Sequence, residues 1–478
     1  MTLALRLDPN RLRQWHVRLA ARLARRGPLR VEFGVGSPLP ASVALLLGLE
    51  RIVHRIPTGD AAVASRSEFA KFAADGEVDL TIDFTGEPPR GRSWRVTFDG
   101  GDDAALPGAL LNGRTPVVAI SDAATNEVIV SGHPGTETAG IFTLALTDVL
   151  ARTATLIEAA LDGAGTCVVA AARPQAISAK KAAIFATKSL ARLAVRTVYR
   201  WLYNSPHWRV GWRRVDGTDV VDLKAHPDSG WRELPDDRTR FYADPFPFEH
   251  EGRTFVFVED FPHKLGYGLI SVVEFDENGP VGTPRPVLDI GTHLSYPFVF
   301  AHGDAIYMIP ETCATRTVDL YRAEEFPGRW VKYVTLLSDI AASDATVFEY
   351  NGRWWMLATV HDGGAFSDAL HVWSAPDLLG PWTAHRRNPV LVDIATARPA
   401  GRVVTRDGKL IRPFQDCRDG YGAALGLAEI TRLDDEAFEQ RVETVLRAGP
   451  LWRGSRLHTL NRAGRLECID GSATARRF

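Results

Sequence analysis

The sequence predicts a multidomain protein: an N-terminal α/β domain of Rossmann-like type, then a C-terminal all-β propeller of five blades. Two observations carry the propeller. A short apolar strand, a tight turn and a second apolar strand recur five times, with copies starting about every 50 residues. The copies have no helical periodicity, which favours a propeller over a helical solenoid. One observation carries the first domain: strand-like and helix-like segments alternate over residues 29–162, the order that builds a mainly parallel sheet.

In chain order, residues 1–172 form the α/β domain. Residues 4–26 have Leu, Trp, Val and Ala at helical spacing among many arginines, and read as an amphipathic basic helix. Strands are expected at 29–36, 78–84, 114–121 and 127–131, and helices at 41–49 and 138–161. Gly34 and Gly36 could begin a dinucleotide fingerprint, but no third glycine follows at the required spacing. Residues 173–207 read as a basic helical linker, with a helix over 181–203. About nine Lys or Arg and no acid fall between Lys180 and Arg214. Such a run is ordinarily a solvated face, and a membrane-surface contact through residues 180–214 is the other reading it admits. No base-reading motif accompanies the charge, so no nucleic-acid partner is expected.

Residues 208–478 form the propeller. The copies are Tyr242-Ala-Asp-Pro-Phe246 with 252–259, Tyr296-Pro-Phe298 with 304–311, and Ser343-Asp-Ala-Thr346 with 352–359. Arg398-Pro-Ala-Gly-Arg402 with 408–416, and His458-Thr-Leu460 with 464–470, complete the set. Residues 208–212 supply a strand to blade one or close the ring. In an antiparallel hairpin the start of the first strand and the end of the second share one rim. That puts Asp244, Glu259, Asp260, Glu311, Asp344, Arg398, Arg412, Gln415 and Asp416 near one funnel mouth. Acids form strands poorly, so their recurrence at one point of several repeats needs a reason: turn capping or chemistry. Carboxylates facing each other across a ring suit glycosyl chemistry, in which one protonates the leaving oxygen and the other activates water or attacks. Tyr242, Phe246, Tyr296, Trp354, Trp355 and Tyr421 offer flat faces to sugar rings, or are blade core. Arg398, Arg402 and Arg412 could clamp an anion, or pair with Asp416 or Glu311.

The formal net charge is −2, which suggests no polyelectrolyte role. The four cysteines lie far apart, with no metal-type spacing, and fit a reducing compartment. No metal and no certain cofactor are expected. No apolar run reaches the ~20 residues needed to span a bilayer, and no secretory h-region is seen. A cytoplasmic protein, peripheral to the inner membrane face if the basic segment binds it, is the expectation.

Three resemblances add to this. The strand ending Asp83-Phe-Thr-Gly86 and the Gly132-His-Pro-Gly135 segment resemble the N-terminal domain of formyl-tetrahydrofolate-dependent formyltransferases. That family's Asn-His-Asp constellation and its His-Pro-Ser-Leu-Leu-Pro-type loop are absent, and His133 has no acid at family spacing. A degenerate formyltransferase-like domain, serving as scaffold or binding module, is implied. Ala243-Asp-Pro-Phe246, Ser343-Asp-Ala-Thr-Val-Phe348 and Trp373-Ser-Ala-Pro-Asp377 resemble the five-bladed propeller of arabinanase, β-xylosidase and invertase-type glycoside hydrolases. That resemblance implies Asp244 as base or nucleophile and Asp344 as tuner of the acid. The nearest candidate for the acid itself is Glu311, outside the family's usual context. A more specific resemblance is to the propeller of glucosamine inositolphosphorylceramide transferase and its bacterial relatives. It rests on Arg398-Pro-Ala-Gly-Arg402, Arg412-Pro-Phe-Gln-Asp-Cys417, Tyr421-Gly422, His458-Thr-Leu-Asn461 and Ile469-Asp-Gly471. It implies glycosyl transfer in intracellular glycan or glycolipid synthesis, with a nucleotide sugar as possible donor and a sugar or glycolipid as substrate. Arg398, Arg412, Gln415, Asp416, Tyr421, His458 and Tyr296 are then the expected substrate contacts. Hydrolysis by the same carboxylates, and glycan binding without catalysis, are the alternatives.

Overall fold

A computed structural model describes residues 1–36, 38–164, 173–449, 452 and 455–477. The chain divides into two compact units. The first comprises Met1–Ala194, Gly363–Asp368 and Leu391–Asp393; the second comprises Val195–Asp362, Ala369–Val390 and Ile394–Phe478.

The first unit is built on six strands: β1 (Leu3–Leu7), β2 (Leu29–Phe33), β3 (Leu80–Asp83), β4 (Ser93–Phe98), β5 (Val118–Asp122) and β6 (Val128–Gly132). Their order is β2-β1-β3-β4-β5-β6. Pairing is parallel from β2 to β4 and antiparallel from β4 to β6, so the sheet is mixed. Helices α1 (Gln14–Ala24), α2 (Ala41–Val53), α3 (Ala105–Leu111) and α4 (Phe142–Leu161) belong to it. The helix expected over 4–26 is corrected: its first part is β1, which is buried throughout and pairs on both sides. A short apolar run carries no period that separates strand from helix. Nor do Gly34 and Gly36 form a phosphate cradle. A Cβ on Gly36 would lie 1.8 Å from Asp8 Oδ2, and one on Gly34 2.5 Å from Glu87 Oε1. Carboxylates, not an anion site, require these glycines. Helix α5 (Ala179–Leu202) follows.

The second unit is the propeller. Among the described residues it holds five blade sheets, each on a four-strand antiparallel path, and a two-stranded sheet pairing Tyr203–Asn204 with Ala475–Arg476. Blade one opens with Arg240–His250 and Arg253–Pro262, blade two with Ser295–His302 and Ala305–Glu311. Blade three opens with Ala342–Tyr350 and Arg353–Val360, and blade four with Val404–Arg406 and Lys409–Asp416. Blade five takes Leu460–Ala463 and Leu466–Ser472, then Trp208–Arg214 and Arg232–Glu233. The early strand Trp208–Arg214 therefore closes the ring by pairing with the last long strand. Rings fill the spaces between strands. Trp354 and Trp355 are both buried, and Phe246 is fully so, which corrects their reading as sugar platforms. Trp354 packs with Phe300, and the Trp355 indole donates to the Tyr350 carbonyl.

Candidate active site in the propeller funnel

The inner hairpins of blades one, two and three share one irregularity. The register slips between Ala243 and Phe246, between Ser295 and Phe298, and between Ser343 and Thr346. In each bulge the first extra residue is left-handed: Asp244 at φ 47°, Tyr296 at 45° and Asp344 at 56°. A bulge re-aims a side chain, and a left-handed residue other than glycine is costly unless its surroundings hold it. Here they do.

Asp244 is held by blades two and five. Its Oδ1 accepts from Thr459 Oγ1 at 2.6 Å, and its Oδ2 accepts from the Tyr296 backbone N–H at 3.2 Å. Its own N–H donates to Asp470 Oδ2 at 2.9 Å, and Asn461 donates to the next carbonyl, that of Pro245, at 3.0 Å. His458 Nε2 stands 3.5 Å from Asp244 Oδ1, while Nδ1 lies 2.6 Å from Asp470 Oδ1. Burial pushes Asp244 up, and His458 opposes it. Burial alone would lower His458, but Asp470 and Asp244 together hold it above the ordinary imidazole range.

Asp344 is held by blade four. Arg398 Nε donates to its Oδ2 at 2.6 Å, and Gln415 Nε2 donates to the same oxygen at 3.1 Å. Glu311, at the end of the second strand of blade two, completes this side. Its Oε2 lies 3.6 Å from Arg398 Nη2, and is buried with no hydrogen-bond partner among the described residues. Burial first, then the Asp344 charge and a hydrogen bond with that carboxylate, push Glu311 up to about 8 against the pull of Arg398. Glu259, paired beside Ala243, is raised well above its usual range by burial and by Asp244 and Glu311. Acids outnumber cations around the axis, which favours the protonated form of these carboxyls.

The structure sorts the expected site residues. Asp244, Glu311, Asp344, Arg398, Gln415, Tyr421 and His458 converge. Tyr421 is half-buried, its ring 4.8 Å from the Arg398 guanidinium carbon. Three expected substrate contacts are corrected. Tyr296 is fully buried, and its hydroxyl bonds Thr346 Oγ1 at 2.9 Å and accepts from the Gly401 N–H at 2.8 Å. Arg412 and Asp416 alternate with Gln415 along one strand and so point to its other face. Arg412 donates to the carbonyls of Thr396 and Ala397, and Asp416 takes Arg418. Two others change role. The Gln415 amide is engaged by Asp344 and the Pro399 carbonyl, and His458 is buried, stacked on Trp208 at 4.2 Å. Asp260 pairs with Arg240 and Ser271, and Arg402 donates its N–H to Asn461.

Asp470 and Thr459 were not read from sequence as site residues, although both lie in the His458-Thr-Leu-Asn461 and Ile469-Asp-Gly471 motifs. Gly401 explains another motif residue. Its φ is 139°, and a Cβ there would come within 2.1 Å of the Leu460 carbonyl oxygen. Asp244, His458 and Asp470 each offer a ligand atom within 4.8 Å of one another, a grouping that could hold a cation and that sequence spacing did not reveal. Thr459, the Tyr296 and Asp244 N–H groups and His458 itself already engage those carboxylates.

Residues 234–468 match the family described as "Glucosamine inositolphosphorylceramide transferase 1, N-terminal". A curated protein of Oryza sativa subsp. japonica, named Glucosamine inositolphosphorylceramide transferase 1, is 32% identical over 233 residues, which are 47% of this chain and 31% of that one. The protein of the same name from Arabidopsis thaliana is 30% identical over 262 residues, 52% of this chain and 33% of that one. The chain thus spans about a third of the length of these relatives. Among solved structures, the RS223 β-xylosidase aligns at a TM-score of 0.36 and 13% identity, covering 52% of this chain and 96% of that one. An exo-β-1,3-galactanase from Clostridium thermocellum aligns at 0.36 and 10%, covering 54% and 65%. Likenesses this low carry no functional weight.

Proposed function

We propose that the funnel transfers a glycosyl unit in glycan or glycolipid synthesis. Glu311 is the proton donor to the leaving oxygen, and Asp244 is the base or nucleophile. Asp344 tunes Glu311, while Arg398 and Gln415 fix Asp344. Tyr421 lines the mouth. The observation that carries this reading is the contrast within one ring. One buried carboxyl has, among the described residues, no hydrogen-bond partner for one oxygen and is pushed up to about 8, while another has a donor on each oxygen. Acid and base chemistry on two carboxyls needs such a split in environment. The name of the matching family and of the curated relatives, which pairs glucosamine with inositolphosphorylceramide, supports transfer to a sugar or glycolipid acceptor, and a nucleotide sugar is the donor class we infer. The first unit is read as a scaffold or binding module of formyltransferase-like ancestry, and the protein as cytoplasmic.

The test is a thermal-shift screen against nucleotide sugars and, separately, free oligosaccharides, because ligands that bind only the native state raise Tm. A shift with one nucleotide sugar, lost in Asp244→Asn, supports transfer. Product analysis with water against an alcohol acceptor then separates transfer from hydrolysis. A response to oligosaccharides alone, unchanged in Asp244→Asn, overturns the assignment in favour of a binding module.

A further inference from the structure

Helix α5 (Ala179–Leu202) packs Ala182, Phe185 and Ser189 inward, yet carries a second apolar face in solvent. Ile184 is 45% exposed, Val195 67%, Val198 57%, Trp201 74% and Leu202 52%. At about 100° per residue, Ile184, Val195, Val198 and Leu202 fall within roughly 60° of arc, and Trp201 widens the stripe to about 120°. Lys188, Lys181 and Arg192 line the adjoining flank, while Arg196 and Arg200 stand on the far side of the helix. None of them forms a salt bridge among the described residues. No acid lies between Lys180 and Arg214 to neutralise them. Tyr199, stacked on Tyr203 at 4.7 Å, borders the stripe on its basic side, and Trp201 borders it on the other.

We propose that this face of α5 lies in the surface of an anionic membrane. Three features select that occupant. The apolar stripe needs a partner that accepts bare aliphatic and indole groups; the row of bases needs negative charge beside it; and Trp and Tyr favour the boundary between the two. A second copy of this helix would bring like charges together, and nucleic acid would leave the stripe in water. Among the described residues no helix is long and apolar enough to cross a membrane, so the contact is peripheral. The inference stands whichever reaction the propeller performs.

The experiment is co-sedimentation of the full chain with vesicles of phosphatidylcholine alone and of phosphatidylcholine mixed with phosphatidylglycerol. Binding to the anionic vesicles should be about tenfold tighter or more, and should weaken with salt. The combined variant K188E/R192E should lose the preference for anionic lipid, and V198D/W201S should lose binding to both. The altered positions are exposed, so Tm should stay at the wild-type value and report folding directly. Failure to bind anionic vesicles overturns the proposal. So does equal binding by wild type and both folded variants, or a wild-type dimer that V198D/W201S converts to monomer.

Discussion

Asp244 and Asp344 occupy the same place in two blades. Both open a bulge, both are left-handed, and both are buried. Their neighbours make them different. Asp244 meets a hydroxyl, a backbone N–H and an imidazole, so each of its oxygens has a donor. Asp344 takes the closer contact with the Arg398 guanidinium, at 2.6 Å against 3.6 Å for Glu311. One side of the ring ends as a fully held carboxylate beside His458. The other ends as a pair in which a second acid keeps its proton. A repeated backbone can thus position carboxylates, but their protonation is decided by which donors the neighbouring blades contribute.

Breaking the held side should cost most. Asp244→Asn removes the base and should lower turnover by about 10²–10⁴-fold, with Tm measured alongside to separate chemistry from folding. Glu311→Gln should lower turnover within the same range and abolish the alkaline limb of the pH profile. The sign follows from the raised value. Glu311 keeps its proton below about 8 and loses it above, so activity falls as pH rises through that value. Its contribution to stability runs the same way: complete below the ordinary carboxylate range, and lost as pH rises towards about 8.

Asp344→Asn sharpens the comparison. It removes the charge that raises Glu311 and frees Arg398 to pair with it, so the alkaline limb should move to lower pH. The same change strips a buried guanidinium of its main partner and should destabilise the fold by up to about 3–5 kcal/mol in a denaturant titration. The smallest effect is expected at Tyr296→Phe. It removes the hydroxyl that serves Thr346 and the Gly401 N–H, at a cost of about 1–3 kcal/mol with little change in the pH profile.

The repeat unit was legible because strand, turn and strand recur with their own spacing. The acids at the mouth were legible because Asp beside Pro is out of place in an apolar strand. What could not be read was partnership. The bulge turns Asp244 towards Thr459, His458 and Asp470 from the far end of the chain, and only closure of the ring brings them together. Strand alternation separates Gln415 from Arg412 and Asp416, although the three lie in one motif. Tyr296 shows the same limit: its ring sits at the position Asp244 and Asp344 hold in their blades, yet its hydroxyl faces inward to backbone and Thr346. In the first unit, β1 was missed because five buried residues carry no usable period.

What separates these roles most directly is the proton that Glu311 is expected to hold at neutral pH. Infrared difference spectroscopy of wild type against Glu311→Gln, titrated with pH, reads it without any substrate. A protonated-carboxyl band present at neutral pH and lost through about pH 8 is the predicted result. A band that disappears near 4.5, the ordinary value for a glutamate, would contradict the assignment of Glu311 as the acid.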